Sequence, residues 1–263
     1  MKPDYKNWVP KGMCLSFWFG TVIAAILFLA FGVFSFGVSG TLHTVLFWVF
    51  LILSFVVVIA SVYMQYLYNA FDYDGKRKLS KDIIEGISKY VEVADGEMAL
   101  DIGCGSGTLT IAVAKRNPNA LIIGIDRWGK EYASYNKPLC ESNAKVEGVN
   151  NVEFIQGDAT KLPFEDCVFD AVTSNYCIHN IVGVNRQDVL LEVLRVLKKG
   201  GTFAIHDIFS KKKYGDMQKF IEELKAKGYE NIELIRTDDK FFKSKSEAKR
   251  LSLGDSALFV GKK

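Results

Sequence analysis

The chain has 263 residues, 33 of them Lys or Arg and 30 Asp or Glu, which is enough for one sizeable domain and an attachment. Setting aside Lys2, Lys6 and Lys11 and the acids Asp4, Asp72 and Asp74 leaves 30 basic against 27 acidic residues from position 76 onward. A domain so nearly balanced lacks the basic stripe and the pI above about 9 of a nucleic-acid binder, so no nucleic-acid partner is expected. Its five cysteines include no C-x-x-C pair, and its histidines stand apart at 43, 179 and 206, so neither a disulfide framework nor a metal site is expected.

The N-terminal third is unlike the rest. From Gly12 to Phe71 there is no Asp, Glu, Lys or Arg. Within that stretch Met13–Phe36 is an apolar run of 24 residues and Leu42–Tyr68 one of 27. At about 1.5 Å per residue, each is longer than the roughly 30 Å hydrocarbon layer of a bilayer. The short Gly37–Thr41 connection makes the two spans antiparallel, so residues 13–71 read as a transmembrane helical hairpin behind an N-terminal segment, 1–12. Lys2, Lys6 and Lys11 before it, and Lys76, Arg77, Lys78 and Lys81 after it, place both termini in the cytoplasm by the positive-inside rule. Trp8, Trp18, Tyr63, Tyr66 and Tyr68 sit at the expected aromatic belts, and His43 at the tip is expected to be interfacial. Gly20 and Ala24 form a small-x-x-x-small pair of the kind that brings helices together, within the hairpin or between copies in a homo-oligomer.

From residue 72 the pattern becomes that of an α/β domain. A helix over Leu79–Val93 precedes a short strand beginning at Met98. Further apolar runs follow at Leu121–Asp126, Val152–Gln156, Val168–Ser174 and Thr202–Asp207, separated by helical patterns at Thr108–Arg116, Lys130–Glu147 and Arg186–Lys198. Short strands alternating with helices imply a doubly wound, mostly parallel sheet. A helix at Asp216–Lys227 and strands at Asn231–Arg236 and Ser256–Val260 complete the chain.

The chemistry is concentrated at the strand ends. Asp101-Ile-Gly-Cys-Gly-Ser-Gly107 follows the first strand, where an α/β sheet binds its ligand and glycine lets the backbone come close to it. Its D-x-G-x-G-x-G spacing differs from the G-x-G-x-x-G of dinucleotide sites, and an acid ahead of the glycines suits a cationic amino group better than a pyrophosphate. Asp126 ends the second strand, where it would take both hydroxyls of a ribose, and Asp158 follows the third, where it would face an adenine amino group. Each alone would be an ordinary turn residue. Three in succession suit a cationic nucleoside.

Residues 75–263 resemble the class I S-adenosylmethionine-dependent methyltransferases, in particular the quinone-type and small-molecule group. The resemblance rests on Leu100–Gly107, Gly124–Asp126, Gly157–Phe164, Phe169–Asn175 and Leu194–Gly201. It implies a seven-stranded sheet with the last strand antiparallel, and S-adenosylmethionine as cofactor, leaving as S-adenosylhomocysteine. It places Gly103, Gly105 and Gly107 along the methionine part of that cofactor and Asp101 at its amino end. Asp126 would hold the ribose, Arg127 and Trp128 would lie beside the adenine, and Asp158 and Ala159 would hold its edge. Asn175 would approach the cofactor, and Tyr176 and His179 would face the acceptor. Imidazole titrates nearest neutrality of all side chains, which makes His179 a candidate general base, with a pocket-shaping histidine as the alternative. Tyr73 stands where related enzymes place a residue over the cofactor.

The expected protein is therefore a membrane-anchored methyltransferase with a small-molecule or lipid- or quinone-like acceptor. A tethered cofactor-binding or regulatory module without catalysis is the alternative.

Overall fold

The computed structural model describes residues 2–129 and 134–263. The chain forms two compact units: Lys6–Ser80, and the residues up to Tyr5 together with Lys81–Lys263.

In the first unit Lys11–Leu27 (α1) continues to Val33 as a π-helical stretch, Phe28–Val33, and Gly40–Phe71 (α2) is the second long helix. Both are long and apolar enough to cross a membrane, with mean hydropathies of 2.3 and 3.0. The first stops short of the expected Phe36, because Ser35 and Gly37 adopt positive φ angles of 54° and 68° that no right-handed helix can include. Where the two helices meet, Thr21 Oγ1 and Ser61 Oγ are 2.7 Å apart, and Trp18 Nε1 donates to Gln65 Oε1 at 3.3 Å. His43 does more than sit at the tip. Its Nε2 lies 2.8 Å from both the Gly32 carbonyl and Ser35 Oγ, joining the π-helical turn to α2. Ala24 is buried, and a Cβ on Gly20 would lie 3.7 Å from Val57 Cγ1, so this small pair serves contact within the hairpin. The outer face is apolar, with Phe19 and Phe55 each 67% exposed.

The second unit holds one seven-stranded sheet. In chain order its elements are α3 (Leu79–Ser88, which begins in the first unit), β1 (Met98–Ile102), α4 (Thr108–Arg116), β2 (Leu121–Asp126), α5 (Lys137–Val146), β3 (Val152–Gln156), β4 (Phe169–Asn175), α6 (Arg186–Arg195) and β5 (Leu197–Ile208). The short α7 (Lys211–Tyr214), then α8 (Met217–Ala226), β6 (Glu230–Arg236), α9 (Lys245–Arg250) and β7 (Ser256–Lys262) follow. The strand order is β3-β2-β1-β4-β5-β7-β6. The first five strands pair in parallel, and β7 runs antiparallel to both β5 and β6, as the resemblance implies.

Three boundaries in this unit differ most from the periodicity. The first domain helix ends at Ser88, where the N–H groups of Tyr90 and Val91 turn back three residues to the Ile87 and Ser88 carbonyls instead of continuing the four-residue ladder. α5 begins at Lys137, where the Asn136 side chain caps it by accepting from the Leu139 N–H at 2.9 Å. The expected start of that helix, Lys130–Ala133, lies outside the described residues. β5 begins at Leu197, inside the expected helix, because a bulge lets Leu197 pair with Phe169 and Thr202 with Ala171.

The strand order reverses between β1 and β4. The ends of these two neighbours therefore flank the crevice where such sheets bind ligands, and they carry the glycine turn and Asn175 respectively.

Candidate functional site

The glycine turn is held open by close packing. Gly103 has φ +72°, and a Cβ on it would lie 2.2 Å from Cys177 Sγ. Gly105 also has positive φ, +57°, but the nearest atom to its Cβ position is Tyr135 Cδ1 at 4.0 Å, so the turn presents bare backbone there. Trp128 Nε1 and Cys140 Sγ both donate to the Gly105 carbonyl, at 3.0 and 3.2 Å. The Trp128 indole is thus fastened to the turn as well as lying after the second strand. The Trp128 backbone N–H and that of Gly105 go to opposite oxygens of Asp126, at 2.8 and 2.9 Å. Each oxygen of a carboxylate has capacity for a second donor, so the half-buried Asp126 retains what two ribose hydroxyls need.

The other acids are placed differently from one another. Asp101 is almost fully buried and accepts from Thr110 Oγ1 at 2.6 Å, so it braces the first turn of α4 from beneath the glycines. Burial pushes its carboxyl up to about 7 despite the Thr110 hydrogen bonds, and the charge of Asp126 adds to the rise. Asp158 is exposed. Thr160 donates to its Oδ1 through both N–H and hydroxyl, at 2.8 and 2.7 Å, which holds it below the ordinary carboxylate range. Arg127 is exposed, its charge lowers Asp158 further, and its carbonyl accepts from Gln156 Nε2. Ala159 packs against the core. Burial raises the Cys177 thiol, and so, in turn, do the charges of Asp126, Asp207, Asp101 and Asp158. Asp126, Asp207 and Asp158 therefore bear on the point where Cys177 meets Gly103, with Asp101, raised to about 7, adding less than a full charge, and a cation is the ligand charge that such a field favours.

Beyond β4 lies a second cluster, built on the register that sets Asn175 beside His206. Asn175 Oδ1 is 2.9 Å from His206 Nδ1, and His206 Nε2 is 2.8 Å from Thr237 Oγ1. Burial pushes His206 down to about 3, so it is neutral, donating to Asn175 and accepting from Thr237. Tyr176 has φ +48°, stacks its ring edge-on against His206, and shares a 2.6 Å hydrogen bond between its hydroxyl and Ser256 Oγ. The hydroxyl expected to face the acceptor is thus engaged with β7.

His179 is held on three sides. Its Nδ1 lies 2.5 Å from Asp207 Oδ1, its N–H donates to Asp207 Oδ2 at 3.0 Å, and its carbonyl accepts from Arg186. Asp207 also accepts from the Tyr214 hydroxyl at 2.7 Å. Burial alone would raise this carboxyl, but the hydrogen bonds from His179, Tyr214 and Ile208 outweigh it and leave it low and ionised. An ionised carboxylate can only accept, so His179 Nδ1 carries a proton and donates it to Asp207. Nε2 makes no hydrogen bond among the described residues. Asp207 carries the arrangement, yet in the sequence it is only the last residue of a strand pattern. An acid ending the strand beside β4 was the available signal. Tyr73 belongs to the hairpin unit, and among the described residues no His, Cys, Asp and Glu cluster could hold a metal.

A parallel sheet reversing at β1 and β4, with a D-x-G-x-G-x-G turn and acids at successive strand ends, defines a class I nucleoside-cofactor transferase. Residues 94–251 match the family model described as a methyltransferase domain, and the chain belongs to that family. It is an S-adenosylmethionine-dependent methyltransferase. A demethylmenaquinone methyltransferase of Lactobacillus johnsonii is 36% identical over 122 residues, 44% of this chain and 46% of that enzyme, so the match spans about half of its length. The enzyme of the same name from Staphylococcus aureus is 32% identical over 177 residues, 63% of this chain and 69% of that protein. The structure of Haemonchus contortus phosphoethanolamine N-methyltransferase 2 in complex with S-adenosyl-L-methionine shares the fold. Its TM-score is 0.52 and its sequence identity 18%, over 76% of this chain and 55% of that one.

The residues fit this cofactor. The open turn at Gly105 and the remaining capacity of Asp126 suit a nucleoside, and the carboxyl groups around Cys177 suit one bearing a sulfonium and an ammonium better than a dinucleotide phosphate.

Burial of Asp101 has a measurable consequence. Its pKa in the folded protein lies above the ordinary 3.8, so its contribution to stability is complete below about pH 4 and is lost as pH rises through about 7. Asp101→Asn should remove that decline. The melting temperature of the cofactor-free variant should fall less between pH 5 and 8 than that of the wild type. Parallel profiles would show that Asp101 is ionised throughout.

Proposed function

We propose that this chain is a membrane-anchored methyltransferase acting on a membrane-partitioned ring compound with a weakly acidic hydroxyl, of the quinol kind. The observation that carries the reading is the His179–Asp207 pair just beyond the crevice. An imidazole whose Nδ1 is tied to a buried carboxylate keeps Nε2 as a proton acceptor, which a neutral amine acceptor would not need and a hydroxyl does. Similar enzymes named as demethylmenaquinone methyltransferases point to the same acceptor class.

When bound, S-adenosylmethionine supplies a methyl group on a positively charged sulfur. The glycine turn, Asp126 and Asn175 would orient it, and His179 Nε2 would take the acceptor's hydroxyl proton. The acceptor, relieved of that proton, would offer its electron pair to the methyl group held in line with it, with S-adenosylhomocysteine as the leaving product. Alignment of nucleophile, carbon and sulfur provides most of the acceleration.

The two apolar helices, with lysines at both outer ends and none at the tip, support insertion as a hairpin with both termini in the cytoplasm. The packing of Asp4 and Tyr5 with the catalytic unit supports the same topology, since the chain must then return to the side from which it left.

Full-length protein in lipid nanodiscs, given methyl-labelled cofactor and a membrane extract, should place label in the lipid-soluble fraction. Label confined to protein or to water-soluble compounds would overturn the acceptor class.

A further inference from the structure

Two residues ahead of the hairpin in sequence, Asp4 and Tyr5, lie against the outer side of the glycine turn. Ser106 Oγ donates to the Tyr5 carbonyl at 2.8 Å. Asn143, on α5, receives the Asp4 N–H on its Oδ1 at 2.7 Å and donates through Nδ2 to the carbonyls of Asp4 and Ser106, both at 3.0 Å. The Tyr5 hydroxyl donates to Glu147 Oε1 at 3.1 Å, and Glu147 also pairs with Lys115 of α4. These are not loose surface contacts. Tyr5 is 7% exposed, Ser106 5% and Asn143 2%.

The Asn143 amide is what makes the segment part of the turn. It has one acceptor and two donors to place, and the segment takes the acceptor and one donor while the turn takes the other. Without the segment, the Asn143 amide and the Ser106 hydroxyl would lose fixed partners, Ser106 keeping only Thr108 Oγ1 at 2.9 Å, and the turn would lose the order they impose. The opposite side of the turn is held separately, by Trp128 and Cys140 on the Gly105 carbonyl and by Asp126 on the Gly105 N–H. The backbone of Gly105–Gly107 is therefore set from two sides, and one of them is a piece of chain that precedes the hairpin.

We propose that Asp4 and Tyr5 are positioning residues of the cofactor site: they fix the glycine turn, and cofactor affinity depends on them. Linkage then requires the converse, that bound cofactor tightens the hold of the turn on the N-terminal segment. A fragment starting at Asp72, which the sequence pattern marks as a whole domain, would lack this tie. Cofactor loading would be complete only in a chain whose two ends lie on one side of the membrane. This inference concerns the cofactor alone and stands apart from the identity of the acceptor.

The test uses the full chain in nanodiscs. Asp4→Pro combined with Tyr5→Gly keeps Lys2 and every residue of the sheet domain, removes the Asp4 N–H that Asn143 receives and the buried Tyr5 ring with its hydroxyl, and should raise the dissociation constant for S-adenosylmethionine about tenfold. The turnover number at saturating cofactor should stay near that of the wild type. In the unaltered protein, amide hydrogen exchange at Asp4 and Tyr5 should slow when S-adenosylhomocysteine is added. This second measurement decides the matter even where the double variant folds badly. A dissociation constant within twofold of the wild type, or N-terminal exchange indifferent to S-adenosylhomocysteine, would overturn the proposal. Failure of the unaltered protein to bind either compound would instead refute the cofactor assignment.

Discussion

Gly103→Ala should remove cofactor binding and lower the stability of the catalytic unit by about 2–5 kcal/mol. Two costs combine. A Cβ at φ +72° carries a left-handed penalty of about 1–2 kcal/mol, and overpacking a filled site costs about 1–3 kcal/mol. The new methyl would lie 2.2 Å from Cys177 Sγ and 2.4 Å from Cys177 Cβ, so neighbouring backbone has to move. That displaced backbone is the floor of the crevice. Because the second contact is with a Cβ, adding Cys177→Ala should recover only part of the loss. Thermal melts and cofactor titrations of the single and double variants check this. Full recovery by Cys177→Ala would mean that the sulfur alone sets the fit.

His179→Ala should lower turnover by about 10²–10⁴-fold, the usual contribution of a positioned general base, while the dissociation constant for the cofactor changes little. The separation follows from the geometry. His179 is tied to Asp207 and Arg186, and Asp207 to Tyr214, whereas the glycine turn is tied to Asp126, Trp128 and Asn143. Asp207→Asn tests the support of the ring: an amide could donate to Nδ1 and so favour the wrong tautomer, which should cost turnover without moving the cofactor affinity. A His179→Ala enzyme with wild-type turnover across the pH range would leave His179 as a residue that only shapes the pocket. Tyr176, whose hydroxyl already pairs with Ser256, should behave as a packing residue by the same measurements.

Features set by local periodicity were legible in the chain. The apolar runs of the hairpin, the alternation of strand and helix, and the acids and glycines closing successive strands all repeat within a few residues. Contacts that depend on register or on distant chain were not. His206 and Asp207 stand at the end of an apolar run like any other, and only the pairing of β4 with β5 brings them beside Asn175 and His179. Asp101 reads as a ligand contact because it precedes the glycines, and only the fold shows that one of its oxygens also braces α4 through Thr110. The tie from Tyr5 to Ser106 spans 101 positions and crosses the entire hairpin, so no window along the sequence contains both partners. The start of β5 was misplaced for a simpler reason: Leu197 continues the helical spacing of α6, and only the bulge opposite Phe169 shows that the strand has already begun.

The central claim is that acids at the strand ends make a site for a cationic nucleoside. Calorimetric titration of the full-length protein in nanodiscs with S-adenosylmethionine, beside the Asp126→Ala variant and a reduced nicotinamide dinucleotide, tests it most directly. Saturable binding of S-adenosylmethionine is expected, weakened by about 1–3 kcal/mol, or roughly 5- to 150-fold, when the Asp126 carboxylate is removed, with no binding of the dinucleotide. Equal affinity in wild type and variant, or preference for the dinucleotide, would contradict the account.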